Sequence, residues 1–252
     1  MIKNKFKLGF IALFSATFSI AQNTPIADAQ IITYKDFNFG ANVNSSSTAW
    51  LAAIQFRYAW HKTGSIKKTF ESELTWVNHP KEVSRYSNFN ENPNTFKYGK
   101  LNQVFFFRNG FGRKVEITER SYRNAIGLNF IYAAGINLAL LKPVYLDIYH
   151  GTDGRGGYLT TEKYDPAIHT DIYNIYGNAS FSNGFKEIDP VMGLYGRAAL
   201  SIEMGEYTDS YYSFEVGLTA DAFAKGIPML AYVSQEQYFI SVYLAFMFGW
   251  KR

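Results

Sequence analysis

The chain has 252 residues, with 25 basic and 21 acidic side chains, no cysteine, and 18% aromatic residues led by 22 Phe and 19 Tyr. The lack of cysteine excludes a disulfide scaffold and a cysteine-ligated metal site, and the length suits one domain. The formal charge of +4 comes largely from the start of the chain: residues 1–21 hold Lys3, Lys5 and Lys7 and no acid, so the remainder carries 22 basic against 21 acidic residues and lacks the excess that nucleic-acid binding needs.

Residues 1–21 have the pattern of a cleavable secretory signal: a basic start, the apolar stretch Leu8 to Phe18, and Ser19-Ile20-Ala21 as a small-x-small site. The apolar stretch is too short for a spanning helix, and no later one reaches the roughly 18 apolar residues required. Crossing a membrane is then left to a closed sheet, because every backbone polar group must be paired within the protein. Residues 22–33 are expected as a short segment preceding the sheet.

A first strand is expected at about 34–43. In 49–62, Trp50, Ile54, Phe56, Tyr58 and Trp60 alternate with Ala53, Gln55, Arg57, Ala59 and His61. At ~3.3 Å per residue and a tilt of about 40°, Trp50 and Trp60 are about 25 Å apart in height, the apolar band of an outer-membrane strand. Weaker strands are expected at 66–78, at 98–108 and, after an Asn109-Gly110 hairpin turn, at 111–119. Residues 123–139 set Ile126, Leu128, Phe130 and Tyr132 against Gly127, Asn129, Ile131 and Ala133. Leu141 to Pro143 reads as a turn into a strand at 143–150, and 151–190 as one long loop rich in aromatics.

The last three strands are clearer. Leu194, Ala198, Leu200 and Ile202 oppose Tyr195, Arg197, Ser201 and Glu203, and Tyr212, Phe214, Val216 and Leu218 oppose Glu215, Thr219 and Asp221. From Tyr238 to Trp250 one face is wholly apolar, with an aromatic amphipath at each end. Long connections at 79–97, 151–190 and 225–236 alternate with short ones, including 206–209, as in barrels whose termini share the short-turn side. The expectation is an all-β antiparallel up-and-down barrel of about ten strands over residues 34–252; eight or twelve would follow from one mistaken short strand.

The inward positions include Arg57, Glu71, Glu73, Asn129, Asp147, Arg197, Glu203, Glu215 and Asp221. Arg57 is expected to pair with Glu71 or Glu73, and Arg197 with Asp221, since buried charges need partners. Such a network would hold a narrow lumen shut. The girdle is expected at Trp50, Trp60, Tyr238 and Trp250. No common short catalytic or metal-binding motif is present and no cofactor is implied. The nearest approach to a catalytic group is Asp147, His150 and Asp153, to which Asp165, His169 and Asp171 could add; Asp147 and His150, three apart, would point to opposite faces of a strand.

With these segments in hand, the chain resembles outer-membrane β-barrel proteins of Gram-negative envelopes. The resemblance implies export to the outer membrane, surrounding outer-membrane lipid, and recognition of the last strand by the barrel-assembly machinery. Trp250 is followed by Lys251 and Arg252, whereas such strands usually end on an aromatic. The functional expectation is a non-enzymatic envelope component acting through its outer loops, with envelope proteins as partners. The alternatives are a rim enzyme acting on lipid A, phospholipid or peptide, and a narrow solute channel.

Overall fold

The computed structural model describes residues 35–63, 65–87, 95–118, 126–151, 156–205 and 210–251. The expected signal at 1–21, the expected segment 22–33, Asp153 and the expected short connection 206–209 lie outside the described residues. In chain order the strands are β1 (Lys35–Ser46), β2 (Trp50–Thr63), β3 (Ile66–Asn78), the short β4 (Ser84–Tyr86) and β5 (Thr95–Lys97), β6 (Asn102–Glu116), β7 (Gly127–Pro143), β8 (Tyr145–Gly151), β9 (Gly157–Lys163), β10 (Ile175–Asn178), β11 (Asp189–Gly205), β12 (Ser210–Ile227) and β13 (Glu236–Lys251). No helix among the described residues is long and apolar enough to cross a membrane.

Eight of these strands close a barrel. β1, β2, β3, β6, β7, β11, β12 and β13 each pair with the next, and β13 returns to β1, with Phe37 opposite Trp250 and Val43 opposite Leu244. Every neighbour is antiparallel. Two-residue periodicity sorts the side chains: on β13, Tyr238, Ile240, Val242, Leu244, Phe246, Phe248 and Trp250 are exposed outside, while Phe239, Ser241, Tyr243, Ala245 and Met247 are buried inside.

The ten-strand expectation is corrected to eight in two places. Residues 98–108 and 111–119 are not two strands around an Asn109-Gly110 turn. Asn102–Glu116 form one strand, β6, in which Gly110 lies opposite both Glu71 and Gly135 in unbroken ladders. Gly110 answers a packing need rather than a turn: a Cβ there would lie 2.4 Å from the Tyr195 hydroxyl and 2.6 Å from the Ala134 carbonyl oxygen. The second place is 143–150. Pro143 ends β7, yet the Val144 N–H still donates to the Leu101 carbonyl at 3.0 Å, so the ladder continues outward instead of turning back. The segment becomes β8, the centre of a separate β10-β8-β9 sheet beyond the barrel. The strand expected at 123–139 is β7, Gly127–Pro143, and therefore ascends; residues 123–125 lie outside the described residues.

The lumen is filled in layers. At the outer end Leu51, Val77, Val104, Phe106, Leu141, Val191, Phe223 and Phe239 form an apolar cluster with Met229 and Leu230 of the β12–β13 connection. The Phe106 ring lies 4.8 Å from Phe223 and 5.4 Å from Phe239. The connection is held down by the Leu101 N–H on the Met229 carbonyl (2.9 Å) and the Ala231 N–H on the Gly99 carbonyl (2.8 Å), so it acts as a stopper. Charged side chains fill the middle and inner layers. A second apolar cluster, Phe96, Leu146, Ile148, Tyr164 and Ile175, packs the outer sheet.

Candidate functional site

Three arginines and four carboxylates occupy the middle of the lumen, all with side chains at most 2% exposed. Each guanidinium binds two carboxylates. Arg57 donates to Glu71 (Nε to Oε1, 2.6 Å) and to Glu215 (Nη2 to Oε2, 3.0 Å). Arg197 donates to Glu71 (3.3 Å) and to Glu73. Arg108 donates to Glu73 and, through two nitrogens at 2.9 and 2.7 Å, to Asp221. The result is one alternating chain: Glu215, Arg57, Glu71, Arg197, Glu73, Arg108, Asp221. Neutral donors serve the surplus negative charge, with Asn42 on Glu73 at 3.0 Å, Thr75 on Glu73 at 2.8 Å and Asn137 on Asp221 at 2.8 Å.

The expected pair of Arg197 with Asp221 does not form. Asp221 lies opposite Tyr195 in the ladder, and Arg197 instead reaches over the lumen to β3 while Arg108 takes Asp221. Arg108 was missed because the supposed turn at Asn109-Gly110 put it at a strand end. Its bond to β12, like those of Arg57 to β12 and Arg197 to β3, joins strands three places apart in the ring of eight. Nearer the inner end Lys67 pairs with Asp36 at 2.7 Å, and Lys114 with Glu203 and more distantly with Asp36. Buried ion pairs gain only when geometry is good and the remaining donors are satisfied. Here they cross-brace the wall and occupy the path that a solute would need.

The girdle residues Trp50, Trp60, Tyr238 and Trp250 all lie on the outward face. Trp250 stacks on Phe37 at 5.7 Å, Trp60 on Tyr58 at 5.4 Å, and Trp76 meets Phe105 edge-on at 6.0 Å. Trp60 and Trp250 mark the inner ring and Trp50 the outer.

Beyond the outer ring, β8 and β9 set His150 opposite Tyr158 and Asp147 opposite Thr161. Asp147 is therefore in the outer sheet rather than the lumen, on the face away from His150, and accepts from the Thr161 hydroxyl at 2.6 Å. The partner of His150 is Glu162: His150 Nε2 lies 2.8 Å from Oε1, and His169 Nε2 lies 3.1 Å from Oε2. His169 Nδ1 accepts the Asp165 backbone N–H at 2.9 Å, which leaves its Nε2 as the proton donor to Glu162. Thr160 also donates to Glu162. These hydrogen bonds, that of Thr160 foremost, hold the Glu162 carboxyl down to about 2. The arrangement straps β9 to the turn at 165–169. The Thr160 hydroxyl faces the carboxylate, not a histidine, so the cluster does not build a nucleophile and base pair. Among the described residues no group of three His, Asp or Glu is placed to hold a metal ion. Asp171 caps a single 3-10 turn by accepting the Tyr173 N–H at 2.9 Å. Glu162 lies in β9, within the stretch 151–190 that the sequence pattern assigns to a loop; the run Tyr158 to Thr161, rich in strand formers, is the signal that reveals it.

No protein-family model matches the chain, and no curated protein matches it in sequence. Among solved structures, the neisserial surface protein A is similar at 10% identity, covering 87% of this chain and 97% of the other, with a TM-score of 0.40. The attachment invasion locus protein Ail of Yersinia pestis, in complex with the heparin analogue sucrose octasulfate, matches at 7% identity over 87% and 99%, TM-score 0.39. OprG from Pseudomonas aeruginosa matches at 11% identity over 87% and 95%, TM-score 0.35. At these values the likeness adds nothing to what this chain's own strands carry.

Proposed function

We propose that the chain is an integral β-barrel of the Gram-negative outer membrane with a closed lumen, acting without catalysis as a structural or interaction component of the envelope through its outer sheet. The observation that carries this reading is the inverted distribution of side chains. A continuous apolar band faces outward between aromatic rings, while the charged residues are neutralised inside beneath an apolar stopper. Such a band is stable against lipid and a liability in water. Beyond it stands an ordered sheet with its own apolar cluster and with Tyr158, Ile168 and Tyr173 exposed, a surface suited to a protein partner of the envelope.

Single-channel recording of the reconstituted protein is expected to give no conductance steps; steps would overturn the closed lumen. Fractionation is expected to place the protein with the outer membrane, and heating to shift its gel mobility. Affinity purification in mild detergent tests the interaction role, which recovery of the protein alone would overturn. The enzymatic alternative requires His150 to act as a base, and unchanged lipid A and peptide cleavage in His150→Ala would remove it.

A further inference from the structure

One cleft at the outer edge of the barrel is cationic. It has a volume of about 280 Å³ and is lined by Lys97, Lys100 and Lys142 together with Gln103, Asn178 and Ser180. Lys97 and Lys100 share a single carboxylate, Glu82, with Lys100 Nζ at 2.9 Å. Lys142 has no carboxylate partner among the described residues. Its side chain belongs to a residue only 5% exposed, and its ammonium lies 4.8 Å from the centre of the Phe181 ring and 5.4 Å from that of Phe185. A cation over aromatic faces gains less than burial of an ammonium costs. The cleft therefore holds three ammoniums against one carboxylate.

Its depth is set by the ladders. Lys142 pairs with Gln103, and two residues inward Leu140 pairs with Phe105, which faces Trp76 on β3. Lys142 and Gln103 thus stand on the outward face just above the outer aromatic ring, at the level of lipid headgroups. The 178–185 segment closes over them. Gly184 has φ +86 and lies so tightly on the end of β7 that a Cβ would be 2.7 Å from the Pro143 carbonyl oxygen, which seats Phe181 and Phe185 over Lys142. Phe181 is 61% exposed at the lip of the cleft.

We propose that this cleft binds the phosphate of a phosphomonoester lipid headgroup from the surrounding outer leaflet, with Lys142 as the principal counter-ion and Lys97, Lys100 and Ser180 as further donors. The proposal rests on the membrane reading above for the depth of the cleft.

The test uses the refolded full barrel in neutral detergent micelles, with native mass spectrometry after addition of phosphatidic acid, phosphatidylcholine of the same chains, or inorganic phosphate. Heat-modifiable mobility of each variant reports whether the barrel has formed, so a failure of the fold is separated from a failure of the site. The expected result is a phosphatidic acid adduct on the native chain, at least about tenfold weaker in Lys142→Gln and retained in Lys142→Arg. Equal adducts with phosphatidylcholine, or no change in a folded Lys142→Gln, would overturn the site. Inorganic phosphate binding as tightly as phosphatidic acid would assign the cleft to a soluble anion and overturn the lipid.

Discussion

The barrel wall and the outer sheet obey the same alternation with opposite results. In the barrel the apolar face points outward and the interior holds seven charges in one chain; in the β10-β8-β9 sheet the buried face is Leu146, Ile148 and Ile175, and Asp147 and Thr161 stand on the opposite face. The difference is the solvent each meets. Lipid rewards apolar side chains outside and leaves the polar ones to satisfy one another within, whereas water beyond the headgroups restores the ordinary arrangement. Pro143, at the end of β7, marks the changeover within one continuous run of chain.

Removal of a single partner from the lumen should have the largest effect. Arg108→Ala strands Asp221 and part of Glu73 without their guanidinium, and is expected to cost about 3–5 kcal/mol of folding free energy, measured by urea unfolding in phosphatidylcholine vesicles. Ile148→Ala should cost about 2–5 kcal/mol, but only locally: faster amide exchange in β8 and β10 with unchanged heat-modifiable mobility. A barrel that fails to form in Ile148→Ala would show that the two regions are one cooperative unit.

Acid should separate them further. The folded Glu162 carboxyl, at about 2, lies below its ordinary 4.5, so the unfolded outer sheet binds more protons between those values. The contribution is complete above pH 4.5 and is lost as pH falls towards 2. Amide protection in β9 and the 165–169 turn should decline over that window, and the decline should be shallower in Glu162→Gln. The smallest effect is expected at the girdle, where a double-mutant cycle between Trp76 and Phe105 should return a coupling of about 0.5–1.5 kcal/mol.

The pairing of Arg57 with Glu71 was legible because the two residues lie directly opposite on adjacent strands joined by one turn. Arg108 with Asp221 was not, because the bond spans the lumen between strands 113 residues apart, and no local pattern encodes which strands end up facing each other. Asn109-Gly110 carries a strong hairpin signal, yet the Tyr195 hydroxyl from β11 gives that glycine its purpose. Asp147 is expected among the lumen positions but lies in the outer sheet, and the partner of His150, Glu162, is set by the pairing of β8 with β9.

What the amino-acid sequence determined by itself is the side of each strand that meets lipid, because a period of two is written residue by residue in segments such as Tyr238 to Trp250 and Trp50 to Trp60. The tertiary structure alone decided that the ring closes at eight strands, that three arginines thread four carboxylates across it, and that Lys142 faces aromatic rings in place of an acid. Those outcomes depend on ring closure and register, which bring together side chains that are distant along the chain.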